Sequence, residues 1–222
     1  MDFLGKRVII EDGCEKGERV MKVDVKKEYR ELFDATIKGI DNVYVPEFWY
    51  IMIDGVGNPR EPDFKLKSKA MNLLAKAIRA YYKEHEDLTY MISPLEGMWD
   101  TYDNAKFDVT RKKMIRYTLM MLQPKFLTEE VFEKVKAELE KKKNNPYIKE
   151  IYLKKFEEGQ CIQMLHIGPY DKEIMITKEI MEYIIVHNMK LNGMHHEIYL
   201  NNPDKVVPEK LKTIVRYAVT DI

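Results

Sequence analysis

The stretch that decides the fold is residues 48–59, FWYIMIDGVGNP. Its first six residues form a dense apolar run, which is typical of a buried strand. The Gly and Pro residues that follow predict a tight turn. A long helix is predicted next, over residues 63–85, because apolar side chains recur there at spacings of three and four. This stripe consists of Leu66, Ala70, Met71, Leu74, Ala77, Ile78 and Tyr81.

Similar elements follow on both sides of a boundary at residues 144–146, where Asn-Asn-Pro breaks a helix. Before the boundary, the predicted elements are a strand at 90–93, a loop at 95–100, a strand at 114–122 and a helix from Thr128 to about 143. After it, they are strands at 151–156 and 161–167, a helix at 171–188, and strands at 195–200 and 213–219. The helix at 171–188 is predicted to face inward with Ile174, Met181, Ile184 and Ile185. Residues 28–40 are predicted as a further helix.

This order of elements is an internal repeat. Each half has a strand that ends in Gly, then a long helix, then two strands, and the triplet IRY at 115–117 returns as VRY at 215–217. The predicted fold class is therefore α+β, with tandem β-α-β-β repeats related by pseudo-twofold symmetry. We expect antiparallel sheets that form a ligand cleft, with the helices on the other face. The repeats span about residues 43–143 and 147–222.

Charge and composition exclude several classes of partner. Lys plus Arg and Asp plus Glu both number 37, so the net charge is zero, which argues against nucleic acid and against a polybasic membrane anchor. No apolar run approaches the roughly 20 residues of a membrane-spanning helix. The first residues form no export signal, and two cysteines make no disulfide framework, so we expect a cytoplasmic protein.

Five segments together point to a known family. They are residues 43–59, PLEGMW at 94–99, LMMLQP at 119–124, QMLHIGPY at 163–170 and HHEIYL at 195–200. Over about residues 26–222 the chain resembles stand-alone GyrI-like small-molecule-binding proteins, whereas residues 1–25 form an N-terminal extension outside the pattern.

The resemblance implies a duplicated domain with a ligand cleft between the repeats. Relatives serve as effector-binding domains of AraC-type and MerR-type regulators. Some stand-alone members are hydrolases that open the cyclopropane ring of DNA-alkylating natural products. An acidic residue on the strand that matches 195–200 binds ligand in relatives, and Glu197 matches it.

Glu197 is also the strongest candidate from the residues themselves. Side chains alternate along a strand, so Ile198 and Leu200 are predicted to lie under the helices while Glu197 and Tyr199 face the cleft. A carboxylate in an aromatic-lined cleft binds a cationic ligand or acts as a general base towards water. The alternative is a solvated carboxylate. In an enzyme, Glu197 and Tyr199 would be catalytic.

Other candidates for ligand binding are aromatic or acidic. Trp99 and Glu96 either line a pocket from a loop or anchor that loop by burial of the Trp. Tyr117 and Tyr217 occupy equivalent repeat positions and either face each other across the cleft or lie in the core. Tyr50 belongs to the first strand, and the pattern leaves open which face it takes.

No metal or cofactor is expected. A strand places His195 and Glu197 on one face and His196 on the other, so at most two ligands converge, while zinc needs three or four. The turn at 55–57 lacks the third glycine of a dinucleotide-binding motif.

The predicted function is binding of an apolar or cationic small organic molecule, as a stand-alone sensor or sequestering protein. The 14 Met and 14 Tyr residues suit such a pocket. The first alternative is a hydrolase of strained electrophilic rings, with Glu197 activating water. A second alternative is an interaction module for a protein partner, and a homodimer is also left open.

Overall fold

A computed structural model describes residues 10–15, 18–35, 39–101 and 115–222 of the chain. The strands are β1 (Ile10–Glu15), β2 (Glu18–Val23), β3 (Asp41–Val45), β4 (Phe48–Val56), β5 (Leu88–Tyr90), β6 (Leu95–Thr101), β7 (Ile115–Leu122), β8 (Tyr152–Phe156), β9 (Gly159–Ile167), β10 (Met189–Leu191), β11 (His195–Tyr199) and β12 (Lys212–Asp221). The helices are α1 (Val25–Glu28), α2 (Arg30–Phe33), α3 (Pro62–Glu86), α4 (Glu129–Lys142) and α5 (Ile174–Val186), with short 3₁₀ helices at Ile148–Glu150, Tyr170–Lys172 and Pro208–Lys210.

The main sheet has nine strands in the described part of the chain, and all of its neighbouring strands are antiparallel. Eight of them run in the order β3-β9-β12-β11-β6-β7-β4-β8, and β10 adds to β12. This confirms the α+β fold class. The two halves share one continuous sheet, joined between β6 and β11, rather than two separate sheets.

The strand order is the one that two similar halves would give. Exchange of β3 with β8, β9 with β4, β12 with β7 and β11 with β6 reproduces the same order from the other end. Each half therefore lends its first strand to the other half, because β3 pairs with β9 and β8 pairs with β4. The strand β10 departs from this pattern. The pseudo-twofold symmetry itself stays a prediction.

The helices α3 and α5 cover the same face of the main sheet, which we call the helical face. On α3, the buried residues Ala70, Met71, Leu74 and Ile78 pack against β4 and β7. On α5, Ile180 and Ile184 pack against β9 and β12. The opposite face is covered near its centre by residues 29–35, where Ala35 packs on Leu165, Ile198 and Ile214.

Two predicted apolar stripes differ from the observed ones. Leu66 of α3 is exposed, and so are Ile174 and Ile185 of α5, all three of which were predicted to face inward. Consecutive residues of a helix are about 100° apart, so Ile185 cannot face the sheet when Ile184 does. The neighbour of Leu66, Lys67, is buried instead and donates a hydrogen bond to the carbonyl oxygen of Asp54 at 2.6 Å.

Two predicted elements are corrected. The helix predicted over residues 28–40 is broken at Tyr29 into α1 and α2, and positions 36–38 lie outside the described residues. The predicted loop at 95–100 is the central strand β6, which pairs with β7 on one side and β11 on the other. Gly97 and two acidic residues lower the strand propensity of this segment, and its pairing on both sides overrides that propensity.

The strands β1 and β2 pair in antiparallel, and β2 pairs in parallel with β5 to complete a small sheet. Val23 at the end of β2 belongs to the buried core. Among the described helices, none is long and apolar enough to cross a membrane.

Candidate ligand-binding site

The candidate site lies at the centre of the main sheet, on the helical face. Across the β6–β11 junction, Glu197 is opposite Gly97, His195 is opposite Trp99, and Tyr199 is opposite Leu95. Residues directly opposite in an antiparallel pair project to the same face, and alternate residues of a strand share a face. These six residues therefore form the floor of the site, which we call the central floor.

The side of the sheet was predicted wrongly. Glu197 and Tyr199 were expected on the face away from the helices, and they lie on the helical face, as their neighbour His195 shows by its contact with Tyr217 beneath α5. Ile198 is indeed covered, but by residues 29–35 rather than by a long helix. Both faces of β11 are covered by other elements. The alternating pattern of the strand predicts which side chains share a face, but it does not predict which element covers that face.

Two carboxyl groups meet on one imidazole. The Nε2 atom of His195 lies 3.0 Å from Oε1 of Glu197 and 3.1 Å from Oε1 of Glu173, which directly precedes α5. The Nδ1 atom of His195 is hydrogen-bonded to the Tyr217 hydroxyl. The side chains of His195 and Glu173 are 3% and 7% exposed, whereas that of Glu197 is 16% exposed. Glu197 thus lies nearest to solvent.

Electrostatics hold this group together. Burial alone would lower the pKa of His195, but the hydrogen bonds that it donates to Glu173 and Glu197 outweigh burial and raise that pKa well above its ordinary value. Burial and the negative charge of Glu197 raise the pKa of Glu173 to about 7. When Glu173 is ionised, two carboxylates and one imidazolium give this group a net charge of −1, which favours a cation.

Two tyrosines complete the acidic side of the site. The Tyr199 hydroxyl donates a hydrogen bond to Oε2 of Glu197 at 2.6 Å, and burial with the nearby Glu197 charge raises the Tyr199 pKa well above its ordinary value. The hydroxyl therefore stays protonated as a donor. The ring of Tyr170 packs edge-on against Tyr199 with centroids 5.9 Å apart, and Tyr170 is 41% exposed.

An aromatic cluster forms the other side. Trp99 stacks on Phe64 of α3 with centroids 5.8 Å apart, and the Tyr117 ring lies 5.3 Å from each of them. A Cβ atom on Gly97 would lie 2.8 Å from Trp99 Nε1 and 3.0 Å from the Tyr199 hydroxyl, so these two groups close over the glycine and leave no room for a side chain. Trp99 Nε1 is buried and has no acceptor among the described residues.

The predicted site residues divide between the two faces. Glu197, Tyr199 and Trp99 share the central floor, and Tyr217 reaches it through His195. Tyr117 packs in the aromatic cluster rather than facing Tyr217.

Glu96 and Tyr50 lie on the opposite face, so they do not share the site. Glu96 is next to Gly97 in β6, so its side chain projects to the face opposite the central floor. Tyr50, which pairs with Leu122, projects to that same opposite face. Both are buried, at 1% and 2% exposed.

Comparison with known proteins gives the family. Residues 40–219 match the GyrI-like small molecule binding domain. The chain belongs to the GyrI-like family. No curated protein matches it.

Solved structures agree with this assignment. The GyrI-like protein is 32% identical to an uncharacterized conserved protein from Listeria innocua, with a TM-score of 0.82 over 89% of this chain and 99% of that one. A hydrolase from Listeria innocua is also 32% identical, with a TM-score of 0.81 over 90% of this chain and 100% of that one. The C-terminal domain of EcmrR shares the fold at 12% identity, with a TM-score of 0.54 over 83% of this chain and 98% of that one.

The opposite face of the GyrI-like protein carries a second buried cluster, which we call the buried ion network. It consists of Glu96, Glu158, Gln163, His196 and Arg216. The Nδ1 atom of His196 lies 3.1 Å from both oxygens of Glu158, and its Nε2 atom lies 3.1 Å from Glu96. Arg216 donates to Glu158 at 3.4 Å and to Gln163 at 3.0 Å.

This network ties residues 29–35 to the sheet. Arg216 donates to the carbonyl oxygen of Leu32 at 2.6 Å, and Gln163 donates to that of Glu31 at 2.9 Å. With two carboxylates, one guanidinium and one imidazolium, its charges balance. The network holds residues 29–35 against the sheet, and it lies on the face of the sheet opposite the central floor.

Sequence reasoning missed three residues of the site, Glu173, Tyr170 and His195. His195 was considered as a metal ligand and set aside, because at most two ligands were expected to converge. That count was wrong, since Glu173 brings a third donor and the three donor atoms lie within 4.8 Å of one another. A metal ion there would have to displace the proton that two carboxyl groups hold on His195.

Proposed function

We propose that this GyrI-like protein binds an apolar or cationic small organic molecule on the central floor and acts as a sensor or sequestering protein. The observation that carries the proposal is the position of Glu197. Its carboxylate is the partly exposed member of a buried acidic group, and aromatic rings lie on both sides of it.

The physical basis is a negative charge in poorly hydrated surroundings. Tyr199, Tyr170 and Trp99 offer ring faces and edges that favour a cation or a planar apolar group. The charge of Glu197 is little screened by water because its neighbours are buried. Such a site takes up cations whose apolar parts replace water against these rings.

The first prediction concerns Glu197→Gln. This change keeps the shape and removes the charge, so we expect cationic planar dyes to bind about tenfold more weakly, which corresponds to about 1.4 kcal/mol. Titration followed by Trp fluorescence measures the affinity. Glu179→Gln, which removes an exposed carboxylate of α5, serves as the matched control and should leave the affinity unchanged. Equal affinity of wild type and Glu197→Gln would contradict the proposal.

A second candidate function is hydrolysis of a strained electrophilic ring. It is favoured by the 32% identity to a protein named a hydrolase and by the Glu197–Tyr199 hydrogen bond. A water oxygen would bond to a ring carbon while the ring C–C bond breaks and its electron pair passes to a conjugated carbonyl oxygen. Glu197 would take the proton that the water loses, and Tyr199 would donate a hydrogen bond to the oxyanion, which finally regains one proton.

The second prediction tests this candidate. If the protein is such a hydrolase, a cyclopropane conjugated to a carbonyl gains the mass of one water, as read by mass spectrometry. Both Glu197→Gln and Tyr199→Phe should slow this gain, by about a hundredfold for the proposed base. Turnover no faster than in buffer rules the candidate out for that substrate and leaves the binding proposal standing.

A further inference from the structure

We infer that Glu173 is a second ligand-binding carboxylate of the central floor, and that its ligand is an organic cation with an N–H group, such as a protonated amine. The inference rests on the proposed function and narrows its ligand class. It excludes quaternary ammonium ions as preferred ligands, because they carry a charge without a hydrogen to donate.

The two oxygens of the Glu173 carboxyl group differ in their contacts. Oε1 of Glu173 lies against His195, whereas Oε2 is buried and has no hydrogen-bond partner among the described residues. The Glu173 side chain is 7% exposed. A buried carboxylate oxygen without a donor is unfavourable, and native proteins rarely retain one without a reason.

The donors that surround Glu173 already form hydrogen bonds with other groups. The Tyr199 hydroxyl donates to Glu197, and the two nitrogens of His195 face Tyr217 and the two Oε1 atoms. Rotation of these groups towards Oε2 of Glu173 would break the bonds that orient Glu197. A ligand that brings its own N–H donor would satisfy Oε2 of Glu173 without breaking these bonds.

A second buried polar atom, the indole nitrogen of Trp99, lies on the same face. Trp99 Nε1 lacks an acceptor among the residues that the structure describes, and Trp99 is directly opposite His195. A Cβ atom on Gly97 would lie 2.8 Å from this nitrogen, so the indole closes over the glycine. The apolar part of an amine would pack on the aromatic rings, with its N–H group directed to the carboxylates.

The chemistry favours an ammonium over a metal ion. A divalent metal would suit the three donors within 4.8 Å, but it would have to expel the proton from Nε2 of His195. An ammonium N–H adds a donor and leaves that proton in place. An N–H group bonded to a carboxylate is a charge-assisted hydrogen bond, which is about twice as strong as a neutral one.

The experiment compares a matched pair of cations near neutral pH by isothermal titration calorimetry. The first probe is protonated N,N-dimethyl-1-naphthylmethylamine, and the second is its N-methylated quaternary analogue. We expect wild type to bind the first about tenfold more tightly. In Glu173→Gln the ratio should fall to within about twofold, while Glu197→Gln should weaken both probes.

The outcomes separate the two claims. Equal affinity of wild type for the two probes overturns the inference and leaves the proposed function intact. Binding of neither probe counts against the proposed function and the inference with it. Glu173-dependent binding of Zn²⁺ that displaces the amine also overturns the inference, in favour of a metal site. If Glu173→Gln fails to fold, the wild-type ratio still tests the preference for a ligand with an N–H group, and equal affinities still overturn the inference.

Discussion

Replacement of Arg216 by methionine is expected to lower the free energy of unfolding by about 3–5 kcal/mol. Arg216 is 2% exposed and donates to Glu158, Gln163 and the carbonyl oxygen of Leu32. Methionine fills similar space and supplies none of these donors. The change leaves Glu158 in a dry environment with His196 as its remaining charged partner, and it detaches residues 29–35 from the sheet.

The chain offers a matched control. Arg116 is the counterpart of Arg216 in the IRY and VRY triplets, and it forms an ion pair with Asp100 at 2.9 Å. Its side chain is 46% exposed, so Arg116→Met is expected to change stability by less than about 1 kcal/mol. Urea denaturation at neutral pH measures both variants. Similar losses for the two arginines would show that the buried ion network is not a main source of stability.

A steep loss of stability in mild alkali is the second large effect that we expect. Burial alone would lower the pKa of His196, but Glu158 and Glu96 outweigh it and raise that pKa to about 9. The stabilisation from this histidine is fully present below the unfolded pKa of about 6.5 and is lost as the pH rises through 9. The shift corresponds to about 3 kcal/mol, because each pKa unit is worth about 1.4 kcal/mol.

At acid pH, the effect of pH on the free energy of unfolding has the opposite sign. Burial would raise the pKa of Glu158, but His196 and Arg216 lower it. Its stabilisation is present above the unfolded value and is lost as the pH falls through the lowered pKa.

Urea denaturation at several pH values tests this expectation. The unfolding free energy of wild type should fall between about pH 6.5 and 9, and His195 contributes to the fall in the same direction because its pKa is also raised. The slope should be clearly smaller in His196→Gln. A slope in His196→Gln that equals the wild-type slope would contradict the assignment.

The sequence predicted those elements whose burial is local and complete. The strands β4, β7, β9 and β12 carry apolar runs that are typical of buried strands. The start of α4 was predictable because the side chain of Thr128, directly before it, accepts the backbone N–H of Val131. The strand β6 was not predicted, because residues such as Gly97 and Glu96 are typical of loops. Their place in a central strand depends on His196 and on β11, which lie far away in the sequence.

The candidate site was predicted only in part, because part of it also depends on residues that are distant in the sequence. Alternation correctly put Glu197 and Tyr199 on one face of their strand, and this is a property of the strand alone. Which face carries the helices depends on where residues 29–35 pack, and the sequence pattern does not encode that. Glu173 and Tyr170 join the site through the packing of α5 on the sheet, so no spacing within the chain could bring them to Glu197.

The exchange of first strands between the halves has a consequence for the route to the native state. On a ribosome, β3 and β4 emerge early, but β3 finds its partner β9, and β4 its second partner β8, after α4 has been made. Until then the early half exposes unsatisfied backbone edges, a known starting point for association between nascent chains. Neither half is expected to mature alone, and a chaperone that shields those edges would act during this interval.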